Sequence, residues 1–262
     1  MRSFRRSVLQ PEGRARLQRL TGKSVLACTG GESRNDGSLM NFLRRKNAAS
    51  PEFARIAPFA VFVGLTFLQG RLGPASPYWI YLVKTLVGAW MIWEARPFVE
   101  EMRWKISWEA LGVGAVIFIA WVGLDGLYPR LARLESGWNP NRQFGAGSPL
   151  AWFYIFVRLT GSALIVPPIE EVFYRSFIYR YIFKTDFLAM RLGQFQALSF
   201  VVTSVIFGLM HPDRWLAGIL CGVAYQGLVV KKDRLGDAMT AHATTNLLLG
   251  IWVVWKGAWN FW

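Results

Sequence analysis

Long apolar segments recur along this chain, and they restrict its possible folds more than any other feature of the sequence. Most approach the roughly 17 to 25 residues that a helix needs to cross a hydrocarbon core about 30 Å thick. They are too long and too continuously apolar for the strands of a membrane barrel. Because every backbone amide in lipid must be bonded internally, the sequence predicts an all-α fold, a polytopic transmembrane helical bundle.

The predicted bundle has about seven to eight membrane helices. Seven spans are expected at residues 53–68, 78–93, 108–127, 150–166, 196–210, 215–230 and 238–255, and a shorter segment at 169–183 is a candidate eighth. We expect residues 51–262 to form a single integral membrane domain. The composition agrees, since 53% hydrophobic residues, 13 Trp and 19 Phe in 262 residues exceed what an ordinary water-soluble domain contains.

Positive charge is concentrated before the first span. The net charge is +14, and residues 1–46 hold +8 of it. By the positive-inside rule this flank keeps the N-terminus cytoplasmic, and anionic lipid bound at the basic tail explains the charge without nucleic acid. Residues 1–50 have little apolar periodicity and are predicted to be a disordered tail. Met40 opens a compact basic flank of its own, so a chain start at Met40 is also expected to suffice.

The loop "KKDR" at residues 231–234 bears on the number of crossings. If segment 169–183 crosses the membrane fully, this loop lies outside, against the charge rule. If that segment is only a partial or re-entrant helix, the loop lies inside with the N-terminus. The sequence favours the second arrangement.

Ionisable side chains inside the spans each require a partner or a function, because one at a helix centre costs on the order of 2.5 to 3.5 kcal/mol on insertion scales. Lys84 and Arg158 fall in mid-span, and Asp125 lies nearer a span end. For these three, snorkelling to the interface or a local ion pair is the simplest interpretation. Gly218 and Gly222 form a small-xxx-small pattern that predicts close helix packing.

The segment "VPPIEEVFYR", residues 166–175, places two adjacent glutamates and an arginine beside long apolar runs. Its double proline is predicted to end one helix and open the next, with Glu170 and Glu171 in the first turn of the new helix. Arg175 follows Glu171 by four residues on the same face, so the two are expected to pair. Glu170 points about 100° away and stays available for chemistry.

Both histidines of the chain also lie in apolar helices. His211 closes "SVIFGLMH", one turn after Phe207, and His242 precedes Asn246 by four residues on one helix face. Taken singly, each histidine is more often a packing residue than a functional one. Together with the glutamates, they supply a pair that can activate water and donors that can stabilise an oxyanion. Hydrolysis of a peptide bond within the membrane is the expected reaction.

These residues resemble the motifs of a known family. "EEVFYR" fits EExxxR, "FGLMH" fits FxxxH and "HATTN" fits HxxxN, in that order. Each motif is weak alone, but the three in order use both histidines of the chain. Over roughly residues 161–251, the chain is similar to the CAAX protease and bacteriocin-processing family of glutamic-type intramembrane endopeptidases, which is related to Ras-converting enzyme.

The resemblance implies a role for each matching residue. Glu170 and His211 activate the catalytic water, and His242 and Asn246 form the oxyanion hole. The catalytic half then covers about residues 150–255, and the family needs no cofactor. The supporting residues are Glu171, Arg175 and Phe207.

Longer stretches around the motifs are similar to a bacterial subgroup that accompanies exosortase and PEP-CTERM sorting systems. This resemblance implies a bacterial inner-membrane protein whose substrate is a membrane-embedded or membrane-anchored protein, with a sorting-system component as a further partner. The motifs do not encode the substrate, and nothing in the residues argues specifically for a prenylated one.

Two other functions compete with the peptidase. A zinc hydrolase could use His211, His242 and Glu170 as ligands, but the sequence lacks HExxH and that scheme gives Asn246 no role. A non-proteolytic sorting or immunity partner, or a proton-coupled carrier, could also hold intramembrane glutamate and histidine. No inverted repeat supports the carrier. The two cysteines, Cys28 and Cys221, are not expected to form a disulfide.

Overall fold

The computed structural model describes residues 39–132 and 138–262, and every regular element in those ranges is helical. This confirms the predicted all-α class. The helices are α1 (Leu39–Ala49), α2 (Pro51–Thr66), α3 (Ser76–Ala95), α4 (Trp108–Gly123), α5 (Pro140–Phe144), α6 (Pro149–Thr160), α7 (Val166–Glu171), α8 (Tyr179–Phe183), α9 (Ala197–Leu209), α10 (Trp215–Lys232) and α11 (Gly236–Lys256). Short 3₁₀ turns occupy residues 96–98, 187–189 and 259–261.

Helices α6, α7 and α8 are parts of one continuous helix, Pro149–Phe183, of 35 residues. The prediction that the double proline separates two helices is therefore wrong. Two π-helical segments, Gly161–Ile165 and Val172–Ile178, join the parts. The amide of Val166 donates to the carbonyl of Gly161, five residues back, just before the prolines. This wider turn lets the helix continue through residues that have no N–H to donate.

Among the helices in the described ranges, only this continuous helix is both long enough and apolar enough to cross a membrane, judged by its length and composition. Two further apolar helices, Trp108–Gly123 and Ala197–Leu209, are shorter. The exact number of crossings therefore stays a prediction, while the merging of segments 150–166 and 169–183 removes the candidate eighth span.

The "KKDR" loop lies at the end of the bundle where α2 begins. Lys231 at the end of α10 is 2.5 Å from the carboxylate of Glu109 in the first turn of α4. In the loop just before α4, Glu101 bonds Arg55 in α2 and Arg180 in α8, at 2.8 and 3.0 Å. The loop and the start of α2 therefore share one end of the bundle, as the favoured arrangement required. Segment 169–183 is not the partial or re-entrant helix of that arrangement, because it continues the helix that begins at Pro149.

The last part of the predicted tail is ordered as helix α1. The side chain of Asn47 donates to the backbone carbonyl of Glu94 at 3.2 Å, and Arg44 pairs with the Glu94 carboxylate at 2.7 Å. The predicted disorder of residues 1–50 is thus wrong for residues 39–49, because these contacts fix α1 to the end of α3. Residues 1–38, with most of the basic tail and Cys28, lie outside the described residues.

Glycines set the close helix packing that surrounds the site. A Cβ on Gly114 in α4 would lie 2.5 Å from the backbone oxygen of Ala241 in α11, so only glycine allows this approach. A Cβ on Gly218 would lie 2.9 Å from the Cα of Gly208 in α9. The small-xxx-small pattern therefore packs α10 against α9, as predicted.

Candidate active site

The four residues predicted to be catalytic meet at one cavity of about 90 Å³. Glu170 comes from α7, His211 from the turn after α9, and His242 and Asn246 from consecutive turns of α11. Such a volume accommodates a few water molecules between polar groups. The helix-face spacing seen in the sequence is thus completed by tertiary packing, since three separate helical elements supply the four side chains.

The two adjacent glutamates occupy different environments. Glu171 is fully buried, with one oxygen 3.2 Å from Arg175 Nε and the other 2.8 Å from His242 Nδ1. Glu170 lines the cavity, and its Oε2 lies 4.0 Å from His242 Nε2. Within the described ranges, Glu170 Oε2 has no hydrogen-bond partner although it is buried. The predicted Glu171–Arg175 pair is present, and Glu170 is the carboxylate that faces the cavity.

The Arg175 side chain is held mainly by charge and by aromatic rings. Its contact with Glu171 is not aligned as a hydrogen bond, and its three guanidinium nitrogens have no other hydrogen-bond partner in the described part of the chain. The guanidinium carbon lies 4.3 Å from the ring centre of Phe207 and within 5.7 Å of those of Tyr174 and Tyr225. Phe207 thus supports the buried cation from beneath the site.

His242 is oriented by one contact at the edge of its ring and one on a face. Its Nδ1 faces the Glu171 carboxylate, so Nδ1 carries the donated hydrogen and Nε2 points toward Glu170. The ring stacks on Tyr225 at 5.3 Å between centres. The Tyr225 hydroxyl donates to Thr245 Oγ1 at 2.7 Å, and Thr245 Oγ1 lies 2.9 Å from the carbonyl oxygen of Gly114. Neither Tyr225 nor Thr245 was predicted, because only packing of α4, α10 and α11 reveals this support.

The imidazole of His211 is fixed by its own helix. Its Nδ1 donates to the carbonyl of Phe207 at 2.9 Å, which leaves Nε2 free to accept a proton. The Trp121 ring packs edge-on against it, with centres 5.3 Å apart. Asn246 donates from Nδ2 to the carbonyl of Ser162 at 2.8 Å, inside the first π-helical segment. Its second amide hydrogen remains for the cavity.

A larger groove of about 610 Å³ adjoins the small cavity and shares Glu170, His211 and Asn246 with it. One wall is the apolar face of α2, which contributes Phe59 and Phe62. The groove is therefore a place where an extended or helical apolar chain can lie beside the carboxylate and the imidazoles. Further lining residues include Lys84, Arg158, Val63, Phe67 and Trp262.

This arrangement combines a buried carboxylate, two imidazoles and an amide, all facing one cavity in a helical bundle. These groups can remove a proton from water and stabilise a developing oxyanion. Across the described ranges, no three side chains of the His, Cys, Asp and Glu types are placed to hold a metal ion. The site thus has the parts of a hydrolytic centre.

The family whose sequence model matches the chain is described as type II CAAX prenyl endopeptidase Rce1-like, and the match covers residues 149–248. This range includes all four cavity residues and their supporting partners, so the resemblance to the CAAX protease family is confirmed there. The match supports a peptidase and an integral membrane protein. Searches of the curated proteins and of the solved structures returned no significant match.

Proposed function

We propose that this protein is a glutamic-type intramembrane endopeptidase that hydrolyses a peptide bond of a membrane-associated protein. The observation that carries the proposal is the meeting of Glu170, His211, His242 and Asn246 at one cavity. The adjoining apolar groove gives the substrate chain access to these groups. A glutamate at a membrane helix is costly unless it has a function.

In the first step, Glu170 acts as the general base with assistance from His211. A water molecule held between Glu170 and the Nε2 of His211 loses a proton to the carboxylate while its oxygen bonds to the scissile carbonyl carbon. The carbonyl π electrons move to oxygen, which becomes the oxyanion. The unshared Nε2 of His211 fits this role because Nδ1 is already engaged by the Phe207 carbonyl.

His242 and Asn246 stabilise the oxyanion. Glu171 holds the Nδ1 of His242, so the Nε2 of the same ring faces the cavity and Glu170. When the ring carries a proton on each nitrogen, Nε2 donates to the oxyanion. The second Nδ2 hydrogen of Asn246 donates beside it. When the intermediate collapses, the C–N bond breaks and Glu170 returns its proton to the leaving amine nitrogen.

The cellular setting is also part of the proposal. We place the protein in a bacterial inner membrane with the N-terminus cytoplasmic, because the basic residues of α1 and the "KKDR" loop share one end of the bundle. The substrate is membrane-embedded or membrane-anchored, since a soluble chain would not enter an apolar groove in lipid. A bacterial sorting system of the exosortase type is the proposed source of substrates or partners.

The experiment that tests this function compares membrane-protein termini, by mass spectrometry, in host cells carrying the wild type and in cells carrying Glu170→Gln. New termini found only with the wild type support the peptidase and identify substrate and cleavage site together. A matched control is Glu100→Gln, which neutralises an exposed glutamate outside the site. Identical profiles for wild type and Glu170→Gln, with both well expressed, favour the non-proteolytic sorting partner instead.

The zinc hydrolase remains a distinct alternative with a direct test. If side chains alone activate the water, the cleavage found above persists in purified protein after treatment with a strong chelator. Loss of cleavage on chelation, restored by zinc but not by magnesium, would replace the proposed mechanism with a metal-dependent one.

A further inference from the structure

Among the described residues, Lys84 and Arg158 face the groove with no carboxylate within ion-pair distance. Lys84 is 5% exposed, and its Nζ lies 3.0 Å from Thr66 Oγ1 and 3.1 Å from Gln69 Oε1, which are both neutral acceptors. Arg158 forms no ion pair, and no hydrogen bond of its guanidinium, within residues 39–132 and 138–262. Neither residue therefore has the local ion pair that the sequence allowed.

Aromatic rings surround these two cations. The guanidinium carbon of Arg158 lies 4.8 Å from the ring centre of Tyr81 and 4.7 Å from that of Trp138. The Lys84 Nζ lies 4.8 Å from the same Tyr81 ring and 4.6 Å from that of Phe62. The shared Tyr81 ring brings both cations to one part of the groove. Ring faces stabilise cations by about 0.5 to 2 kcal/mol, which is less than desolvation of two charges costs.

Other buried cations in the described ranges behave differently. Arg55 and Arg180 meet Glu101, Arg175 meets Glu171, and Arg214 lies 3.6 Å from Asp125. Each of these arginines has its counter-charge inside the protein. Lys84 and Arg158 form no such ion pair with any described residue. Glu170 lines the same groove and acts on Lys84 at longer range, so two cations face one carboxylate, which leaves a place for an anion from outside the chain.

We infer that Lys84 and Arg158 bind a carboxylate of the substrate polypeptide and thereby position its scissile bond at Glu170. This inference rests on the proposed function. A peptide carboxylate fits better than a lipid phosphate, because the groove that holds the two cations also contains Glu170, His211 and Asn246. An occupant of the groove thus reaches the reacting groups. The planar guanidinium matches a carboxylate in a bidentate manner, and the lysine adds a point charge.

The carboxylate has two chemical sources, the C-terminus of the substrate or an acidic side chain. Each source implies a specificity. A C-terminal carboxylate restricts cleavage to bonds near the end of a chain, whereas an acidic side chain permits internal cleavage beside Asp or Glu. Lys84 and Arg158 are then specificity-determining residues, because they contact substrate away from the reacting atoms.

The test measures binding of fluorescent apolar peptides by anisotropy, with the Glu170→Gln protein in nanodiscs of zwitterionic lipid so that no probe is cleaved. The first pair of probes differs only in a C-terminal carboxylate or carboxamide. The second pair has an amidated C-terminus and differs only in an internal Glu or Gln. We expect the carboxylate member of one pair to bind at least about tenfold more tightly, as charge-assisted hydrogen bonds do.

Substitutions in the same background assign the preference to the groove. Lys84→Met should reduce the ratio of carboxylate-probe affinity to amide-probe affinity by about tenfold. Arg158→Lys keeps the positive charge but loses the bidentate guanidinium geometry, so it should reduce this ratio less. The matched control is Lys256→Met, which removes an exposed cation at the end of α11 and should leave the ratio unchanged. Thermal unfolding of each variant confirms that it is folded.

Three results would overturn the inference. They are equal binding of both members in both pairs, an unchanged ratio in Lys84→Met and Arg158→Lys, or loss of the preference when phosphatidylglycerol replaces the zwitterionic lipid. The last result would assign the two cations to a lipid phosphate. Since binding requires no turnover, failure here is separable from failure to find cleaved termini.

Discussion

Two buried clusters of glutamate and arginine show how the same residue types serve different ends. The site cluster consists of Glu171, Arg175 and His242 beneath the cavity. The end cluster consists of Arg55, Glu101, Ser176 and Arg180 at the end of the bundle where α2 begins. The two clusters are adjacent in sequence, since Arg175 and Ser176 are neighbours in the second π-helical segment.

The end cluster is satisfied by hydrogen bonds. Arg55 donates to both Glu101 oxygens at 2.8 and 3.0 Å, Arg180 donates to one of them at 3.0 Å, and the Ser176 hydroxyl also donates to Glu101. Burial alone would raise the pKa of Glu101, but the Arg55 charge and the Ser176 hydroxyl outweigh it and lower the pKa below its ordinary 4.5. This cluster links α2 and α8 to the loop before α4 through hydrogen bonds and ion pairs.

The site cluster has fewer hydrogen bonds and a different task. Its one well-aligned contact joins Glu171 to His242, while Arg175 is held by charge and ring faces. In this protein, the ion pair with complete hydrogen bonding stabilises the fold, whereas the incomplete one leaves the Glu171 carboxylate to orient His242. Four predictions test this difference, in order of decreasing size.

Replacing the free carboxylate should have the largest effect. Glu170→Gln should reduce cleavage by about 10²- to 10⁴-fold, since it removes the proposed general base, and should leave the yield of folded protein near that of the wild type. Cleavage of an identified substrate by purified protein measures this. Activity within a few-fold of the wild type would indicate that His211, and not Glu170, is the general base.

Removing the cation of the site cluster should mainly affect stability. Arg175→Ala leaves Glu171 buried without its counter-charge, which costs about 3 to 5 kcal/mol. Thermal unfolding in detergent should show a much lower midpoint and a reduced yield. The control Arg191→Ala breaks an exposed pair with Asp233 and should cost less than about 1 kcal/mol. Equal losses of folded protein for Arg175→Ala and Glu170→Gln would contradict the division of roles between the two glutamates.

Neutralising Glu171 should slow the reaction without abolishing it. In Glu171→Gln, the amide oxygen can still accept from His242 Nδ1, but it no longer balances a protonated ring, so we expect a 10- to 100-fold slower cleavage. As a positioning residue, Glu171 should affect kcat more than KM, because it orients His242 without contacting the substrate. An unchanged kcat with a raised KM would mean that Glu171 acts on substrate binding instead.

The end cluster should respond in stability and not in rate. Glu101→Gln is expected to cost about 1 to 3 kcal/mol of folding free energy, while activity per folded molecule stays near wild type. Because the folded pKa of Glu101 lies below the unfolded value, its contribution is complete above pH 4.5 and is lost as the pH falls through the folded pKa.

Thermal unfolding from pH 7 to pH 3 should therefore show a larger loss for the wild type than for Glu101→Gln. Parallel curves would mean that Glu101 contributes through packing and not through its charge. A loss of activity in folded Glu101→Gln would contradict the assignment of the end cluster to stability alone.

The sequence predicted the parts of this protein that depend on local spacing. The 3.6-residue period and the long apolar runs placed most of the helices within a few residues, because helix hydrogen bonds are local. The four-residue spacing from Glu171 to Arg175 and from His242 to Asn246 likewise fixed which side chains share a face. Three motifs in order were sufficient to indicate the family.

Tertiary structure decided what no local pattern contains. The double proline was expected to break the helix. A π-helical turn at Gly161–Ile165 instead shifts the hydrogen-bond register before the prolines, which lack N–H donors, and the helix continues as one long element. That single change places the "KKDR" loop at the same end as α2. The contact from Glu171 to His242 and the stacking of Tyr225 depend on packing between helices far apart in the chain, through close approaches such as that at Gly114.

The same distinction holds for charges. The sequence established that Lys84, Arg158, Arg175 and Glu170 lie in apolar surroundings, since composition and position suffice for that. The four-residue spacing also predicted that Arg175 meets Glu171 on its own helix. Only the packed bundle determined that Lys84 and Arg158 form no ion pair within the described ranges, because their surroundings come from separate helices at distances of a few ångströms.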